Sequence, residues 1–294
     1  MFENLVVALD GSTCAAHAFE LTLALARAEA STIAVCSIAD ARPIYGTLSP
    51  DVTVEQALAV IQDYAQNVVD DALAKARAAG ITARGSVLSG EPVYEIVSYA
   101  TAMHGDAIVV GTHGRSGLKR LFLGSVAEGV LRSANLPVVI VREDSQLGEL
   151  RVLVAIDGSD CSFRALDVAA GLAKSLDTEL VVSNVVDLAK AAVLSGGAAQ
   201  LAEESLELLQ TEGNEILAEG VKRAAAIARV TSRSLEGEPI EQIERLATEI
   251  RPAFIVIGSH GRGGLSRAVM GSVAEGVVRR APVPVIAVPC RGAT

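Results

Sequence analysis

The sequence contains no tryptophan and few aromatic residues of any kind. Only 3% of its 294 residues are aromatic, whereas 50% are hydrophobic. The core must therefore be aliphatic, built chiefly from Val, Ile, Leu and Ala, and this composition favours parallel strands that alternate with helices. The length corresponds to about two domains of ordinary size, at about 100 to 200 residues each.

Long uninterrupted apolar runs are also missing. No stretch approaches the ~20 residues that a membrane-spanning helix needs, and the start MFENLVVALDGS has no basic region followed by a long apolar segment. We therefore expect a cytoplasmic protein that does not bind membranes. The formal net charge of −10 argues against general binding to nucleic acid as well. Any anion site must be local.

Cysteines are few and widely spaced. The four, Cys14, Cys36, Cys161 and Cys290, form no CxxC pair. This pattern predicts neither a zinc site nor a disulfide framework, so we expect buried, reduced thiols. The histidines show no ligand spacing such as HExxH, and we predict no metal site in the protein itself.

The sequence does contain one pattern twice, at a constant offset of 147 residues. VVALDGSTC at 6–14 matches LVAIDGSDC at 153–161, and no net insertion separates the later matches. Self-similarity of this kind indicates a duplicated structural unit. We interpret the chain as two copies of one domain, 1–143 and 151–294, joined by a linker at 144–150.

Within each copy, short β-branched runs alternate with longer stretches of helical periodicity. Continuous apolar runs such as AIVV and FIVI are typical of parallel strands that are covered on both faces. With right-handed crossovers, each copy is predicted to be a doubly wound α/β domain with a five-stranded parallel sheet. In the first copy the predicted strands are 5–9, 33–38, 81–87, 107–110 and 138–141, and the predicted helices are 13–28, 54–79, 93–103 and 126–133.

The segments that follow the second predicted strand differ between the copies. ARPIYGTLSP at 41–50 and LAKAAVLSGGAAQ at 188–200 share neither composition nor turn signals. Their glycines and proline are typical of loops. We interpret both as mobile loops or lids above a site and assign them no fixed structure.

A glycine-rich loop follows the fourth predicted strand of each copy. GTHGRSGLKRLFLGS spans 111–125 and GSHGRGGLSRAVMGS spans 258–272, with glycine at the first, fourth and fourteenth places and serine at the fifteenth. Ligands of doubly wound sheets bind beyond the carboxyl ends of the strands. Glycines let backbone N–H groups approach phosphate oxygens, and the following helix adds free donors and a favourable dipole. Ser125 can cap that helix and donate to a phosphate.

Basic residues strengthen the phosphate interpretation. Arg115, Lys119 and Arg120 add positive charge in the first copy, and Arg262 and Arg267 do so in the second. The alternative is a tight strand-to-helix connection that binds nothing. The loop lacks the lysine of a P-loop, and LDGSTC lacks the GxGxxG fingerprint, so neither of those nucleotide-binding families fits.

The pattern G-x2-G-x9-G-S, with ALDGS at the end of the first strand, resembles the universal stress protein family. The resemblance covers essentially the whole chain, as two domains in tandem, and implies the strand order 3-2-1-4-5 with helices on both faces. It also implies ATP as the ligand, because family members with this loop bind ATP and members without it generally bind no nucleotide. Any magnesium would accompany the phosphates.

The same resemblance implies which residues bind nucleotide. The aspartates at the end of the first strand resemble those near ribose and adenine, although an acidic turn residue is the alternative. Ile38 and Val185 resemble positions that contact adenine. Ordinary core residues at these two positions would look the same in the sequence, so a purely structural role is the alternative. The full set is Ala8, Asp10, Ile38, Gly111, His113, Gly114, Arg115, Gly124, Ser125 and Val126 in the first copy, and Ala155, Asp157, Val185, Gly258, His260, Gly261, Arg262, Gly271, Ser272 and Val273 in the second.

No nucleophile with its base is evident, because Ser12 and Ser159 in the DGS turns are typical of helix caps. The resemblance therefore implies an ATP-binding regulatory protein of the stress response, with at most weak ATP hydrolysis. One alternative is a slow ATPase or a phosphoryl or nucleotidyl transferase that uses His113 or Asp10 as a base. A second alternative is a dimerising scaffold without ligand.

The duplication also predicts how the two copies assemble and how many nucleotides one chain binds. The apolar fifth strands PVVIV and PVIAV are sheet edges, so we predict that they pair within the chain as an internal pseudo-dimer, with a possible homodimer built elsewhere. Because every binding position recurs, we expect two ATP molecules per chain. The first copy should bind the triphosphate more tightly, since it has Lys119 where the second copy has Ser266.

Overall fold

The computed structural model describes residues 1–40, 42, 53–113, 123–143, 145, 149–194, 199–261 and 270–290. The chain divides into two compact units, Phe2–Glu143 and Asp144–Thr294. Each unit alternates strands and helices, as the sequence predicts. In the described part of the chain, every helix is too short or too polar to cross a membrane.

The first unit is a doubly wound parallel sheet. Its strands lie in the order β3-β2-β1-β4-β5, and every neighbouring pair is parallel. This confirms the predicted fold class and strand order. The elements are β1 (Asn4–Ala8), α1 (Thr13–Glu29), β2 (Thr32–Ala39), α2 (Val54–Ala78), β3 (Ala83–Ser89), α3 (Pro92–Ala102), β4 (Ala107–Gly111), α4 (Ser125–Ser133) and β5 (Val138–Val141).

The second unit repeats this arrangement. Its strand order β8-β7-β6-β9-β10 is again parallel throughout and is equivalent to 3-2-1-4-5. The elements are β6 (Glu149–Ala155), α5 (Asp160–Ser175), β7 (Glu179–Val186), α6 (Leu188–Leu194), α7 (Ala199–Ala225), β8 (Arg229–Glu236), α8 (Pro239–Ile250), β9 (Pro252–Gly258), α9 (Ser272–Arg280) and β10 (Val285–Val288).

Burial explains why the central strands are apolar along their whole length. Leu5, Val6 and Val7 of β1 have no exposed surface, although successive side chains of a strand point to opposite faces. Both faces of the sheet are therefore covered by helices. Phe19 of α1 is 2% exposed, so it is one of the few aromatic residues in an otherwise aliphatic core.

The segment 188–200 contains more regular structure than we expected. Residues Leu188–Leu194 form α6, and α7 begins at Ala199. The helix forms because Asp187 Oδ1 accepts hydrogen bonds from the N–H groups of Ala189 and Lys190, at 2.9 and 3.3 Å. Residues 195–198 of this segment, and all of 41–50 except Arg42, lie outside the described residues.

The expectation of four reduced thiols is wrong for two of them. Cys161 and Cys290 form a disulfide, with their Cα atoms 4.5 Å apart. Cys161 lies in the first turn of α5 and Cys290 lies two residues after β10, so the sheet brings together residues that are 129 positions apart in sequence. Cys14 and Cys36 are free and buried, as predicted.

Candidate functional site

In each unit the first strand ends in a DGS turn that starts the following helix. In the second unit Gly158 has a φ of +83°, which favours glycine, and the Ser159 side chain caps α5 by accepting from Ser162 N. The carboxylate of Asp157 accepts from Ser159 N at 3.0 Å, and this bond holds it at the carboxyl end of the sheet. The first unit repeats the turn with Asp10, Gly11 and Ser12.

The first glycine of each loop has a packing role. A Cβ at Gly258 would lie 2.9 Å from the carbonyl carbon of Cys161, and one at Gly111 would lie 3.0 Å from that of Cys14. Strand and helix therefore approach too closely for any side chain. At these two positions the tight-connection alternative explains the glycine without a ligand.

The last glycine of each loop begins a helix. Gly124 is the N-cap of α4, and Gly271 is the N-cap of α9. Ser125, which we expected to act as a cap, is instead the first residue of α4. A glycine cap has no side-chain oxygen to offer the N–H groups of the first turn. Those groups can therefore take an external anion.

The loop histidines are held in the same way in both units. Nδ1 of His113 lies 2.9 Å from Thr112 Oγ1, and Nδ1 of His260 lies 2.9 Å from Ser259 Oγ. In each ring Nε2 is buried and has no hydrogen-bond partner among the described residues. A buried polar atom without a partner costs about 1 to 3 kcal/mol. The missing partner must therefore come from outside the described residues, either from the rest of the protein or from a bound molecule.

A cavity of about 600 Å³ lies at the carboxyl ends of the strands in the second unit. This volume is typical of a small-molecule site. Nine of the ten positions predicted for the second copy line this cavity. The tenth, Arg262, lies outside the described residues, as do Gly114 and Arg115 of the first copy. The nine are Ala155, Asp157, Val185, Gly258, His260, Gly261, Gly271, Ser272 and Val273.

Sequence reasoning missed the wall that α7 contributes. Leu209, Glu212, Gly213 and Ile216 line the cavity, and their spacing of three to four residues places them on one face of the helix. A Cβ at Gly213 would lie 2.6 Å from Asn184 Oδ1, so the glycine lets α7 approach the end of β7. A glycine inside a helical pattern is the signal that could have revealed this wall.

The lining offers three kinds of surface. The N-terminus of α9 with Gly261 suits an anion, because it offers backbone N–H groups. The carboxylates of Asp157 and Glu212 can accept hydrogen bonds from hydroxyl groups. Apolar side chains such as Ile243 complete a wall suited to a flat, uncharged ring. Phosphate, sugar and base are the groups that this combination fits.

The first unit differs at the corresponding turn. The hydroxyl of Tyr64, on α2, donates to the backbone oxygen of Asp10 at 3.3 Å and lies against Gly11. At an offset of 147 the second copy has Thr211 instead. An aromatic ring therefore covers part of the turn after β1, so the two candidate sites are not identical.

Comparisons with known proteins agree with the duplication. The Universal stress protein family matches residues 1–142 and again 150–289. A universal stress protein of Mycobacterium tuberculosis strain H37Rv is 31% identical over 240 residues, which are 76% of either chain. One from Bacillus subtilis strain 168 is 30% identical over 148 residues, covering 48% of this chain and 100% of its own. The crystal structure of a universal stress protein from Archaeoglobus fulgidus superposes with a TM-score of 0.72 at 26% identity, covering 98% of each chain.

Proposed function

Because the chain belongs to the universal stress protein family, as a member with two domains in tandem, we propose that it binds ATP in each domain. The presence or absence of ATP in these sites then regulates its part in a stress response. The observation that carries the proposal is the cavity of the second unit, whose lining includes nine of the ten positions that the resemblance to the family implies for that copy. That agreement is informative because the nine come from four separate stretches of the chain.

The triphosphate, ribose and adenine of ATP each fit a different part of this cavity. The triphosphate lies against Gly261 and the first turn of α9, where backbone N–H groups and the helix dipole favour negative charge. The ribose lies beside Asp157, and adenine lies near Val185. Magnesium, where present, enters with the phosphates.

The function that we assign to the site is nucleotide binding without catalytic turnover. A scaffold without ligand would leave the cavity of the second unit empty, although its volume is typical of a small-molecule site. Mass spectrometry of the small molecules released on denaturing the purified protein tests this. An adenine nucleotide supports the proposal, whereas release of phosphate over many turnovers per site would favour the enzyme alternative.

ATP should raise the free energy of unfolding of each domain. At about 100 times the dissociation constant, a ligand that binds only the folded state contributes roughly 2.7 kcal/mol per site. Thermal unfolding with and without ATP measures this shift, with GTP at the same concentration as the control for base recognition. An unfolding temperature that does not respond to ATP would contradict nucleotide binding.

The segment after β7 should become more protected when ATP binds. Asp187 and Lys190, at the start of α6, line the cavity, so a bound nucleotide would contact this short helix. Hydrogen exchange of residues 187–194 should slow in the presence of ATP. The strand β8, which contributes no residue to the lining of the cavity, should change less. Equal exchange at 187–194 in both states would argue against a lid.

A further inference from the structure

The disulfide of the second unit lies beside the candidate nucleotide site. Cys161 is the second residue of α5, and the residue that follows it, Ser162, lines the cavity. His260 also lines the cavity, and one of its ring nitrogens lies within 4.8 Å of both cysteine sulfurs. A change at this sulfur pair is therefore transmitted directly to residues that line the site.

The pair exists only in the second copy. Cys14 corresponds to Cys161, but Glu143 occupies the position that corresponds to Cys290. Cys14 is free and lies 3.2 Å from the carbonyl oxygen of Val141 and 3.4 Å from Thr112 Oγ1. The duplication thus supplies an internal control, because the first unit has the same fold with one thiol instead of two.

The surroundings of the pair favour thiol chemistry. The N-terminus of α5 favours negative charge, so it stabilises a thiolate on Cys161. His260 can take a proton from a neighbouring thiol. Cys290 is half-buried, whereas Cys161 is 3% exposed, so Cys290 is the sulfur that a small oxidant reaches. By contrast, burial raises the pKa of the Cys36 thiol to about 12, which keeps it protonated and unreactive.

We propose that Cys161 and Cys290 form a peroxide-oxidisable dithiol site whose oxidation state controls how tightly the second domain holds its nucleotide. The second half of this statement rests on the proposed ATP binding. The thiolate of Cys290 attacks one oxygen of hydrogen peroxide, which forms a sulfenic acid and, with one proton, releases water. The thiolate of Cys161, stabilised by the N-terminus of α5, then attacks the Cys290 sulfur. The S–O bond of the sulfenic acid breaks, its oxygen takes up a proton and leaves as a second water, and the disulfide closes. Two thiols lose two electrons and two protons, and one peroxide becomes two waters.

The bond couples to the site because one of the two segments that it joins, the start of α5, packs against the beginning of the glycine loop. It joins the start of α5 to the residues that follow β10. Gly258 packs directly against the backbone of Cys161, and Ser259 N donates to Val288 O at 2.8 Å. The first unit makes the equivalent contacts without a disulfide, since Thr112 N donates to Val141 O at 2.9 Å and Gly111 packs against Cys14. What the disulfide adds in the second unit is a covalent restraint on Cys161, against which the loop begins, so binding orders fewer groups. Reduction releases this restraint and weakens binding.

Peptide mapping tests the thiol chemistry without any nucleotide. Fully reduced protein is treated with one equivalent of hydrogen peroxide, quenched with iodoacetamide and analysed by mass spectrometry. We expect a Cys161–Cys290 crosslink, with Cys14 and Cys36 still thiols. Cys14→Ser should behave like the unmodified chain, and Cys290→Ser should form no such crosslink. A pair that stays reduced would overturn the proposal, as would stoichiometric zinc bound through these thiols in the reduced protein.

Calorimetric titration with ATP tests the coupling. Reduction should raise the dissociation constant of the second site by about fivefold or more and leave that of the first unchanged. Cys290→Ser should show the weaker value under both conditions, and Cys14→Ser should retain the difference. Equal affinities in oxidised and reduced protein would overturn the coupling alone. Absence of any ATP binding would overturn the proposed function, while the peptide map would still decide whether the dithiol site exists.

Discussion

Gly271→Val should abolish ATP binding in the second domain and leave the fold intact. Gly271 has φ −63° and ψ 144°, an extended conformation that valine adopts readily. A Cβ there would lie 3.5 Å from the nearest backbone atoms, which is ordinary contact. The valine methyl groups would extend into the space where an anion approaches the first turn of α9. Losing about 3 kcal/mol of charge-assisted hydrogen bonds corresponds to a dissociation constant raised by about 100-fold or more.

Calorimetry should find two ATP molecules per unmodified chain and one per chain of Gly271→Val. The free energy of unfolding without ATP should stay within about 0.5 kcal/mol of that of the unmodified protein, which shows that the loss of binding is local. Gly124→Val is not an equivalent variant, because a Cβ at Gly124 would lie 2.9 Å from the carbonyl oxygen of Thr112. Two ATP molecules still bound to Gly271→Val would show that the start of α9 does not hold phosphate.

Gly258→Ala should lower the stability of the second unit by about 3 kcal/mol. The added Cβ would lie 2.9 and 3.0 Å from the carbonyl carbon and oxygen of Cys161, and backbone atoms cannot rotate away as a side chain can. Forcing a methyl group into such a contact typically costs about 1 to 3 kcal/mol, and occasionally more. The upper part of that range applies because the disulfide restrains Cys161 on the other side of the contact.

Guanidinium unfolding measures this change, with hydrogen exchange in α5 and β9 showing which unit opens, since two units need not unfold together. Gly111→Ala should destabilise the first unit in the same way, because its Cβ would lie 3.0 Å from the carbonyl carbon of Cys14. Gly271→Ala is the matched control and should cost little. Unchanged stability of Gly258→Ala would mean that strand and helix can separate without penalty.

Much of the fold could be predicted because its signals are local. β-branched runs and helical periodicity predict β5 at its observed bounds and most other ends within one or two residues. Two of the failed predictions were decided by local contacts. Asp187 caps α6 in a segment that we expected to be irregular, and Gly124 takes the cap position that we expected Ser125 to fill. The pairing of the fifth strands within the chain and the order of ATP affinities stay predictions.

The sequence by itself determined the duplication and the doubly wound fold, because repeats and periodicity are properties of neighbouring positions. The residues of the nucleotide site stay a prediction, which the resemblance to the family implies. Only the tertiary structure showed that α7 forms a wall of the cavity, that Gly258 must pack against the backbone of Cys161, and that Cys161 bonds to Cys290. These features depend on which distant segments the sheet brings together. A separation of 129 residues leaves no local signal of a 4.5 Å approach.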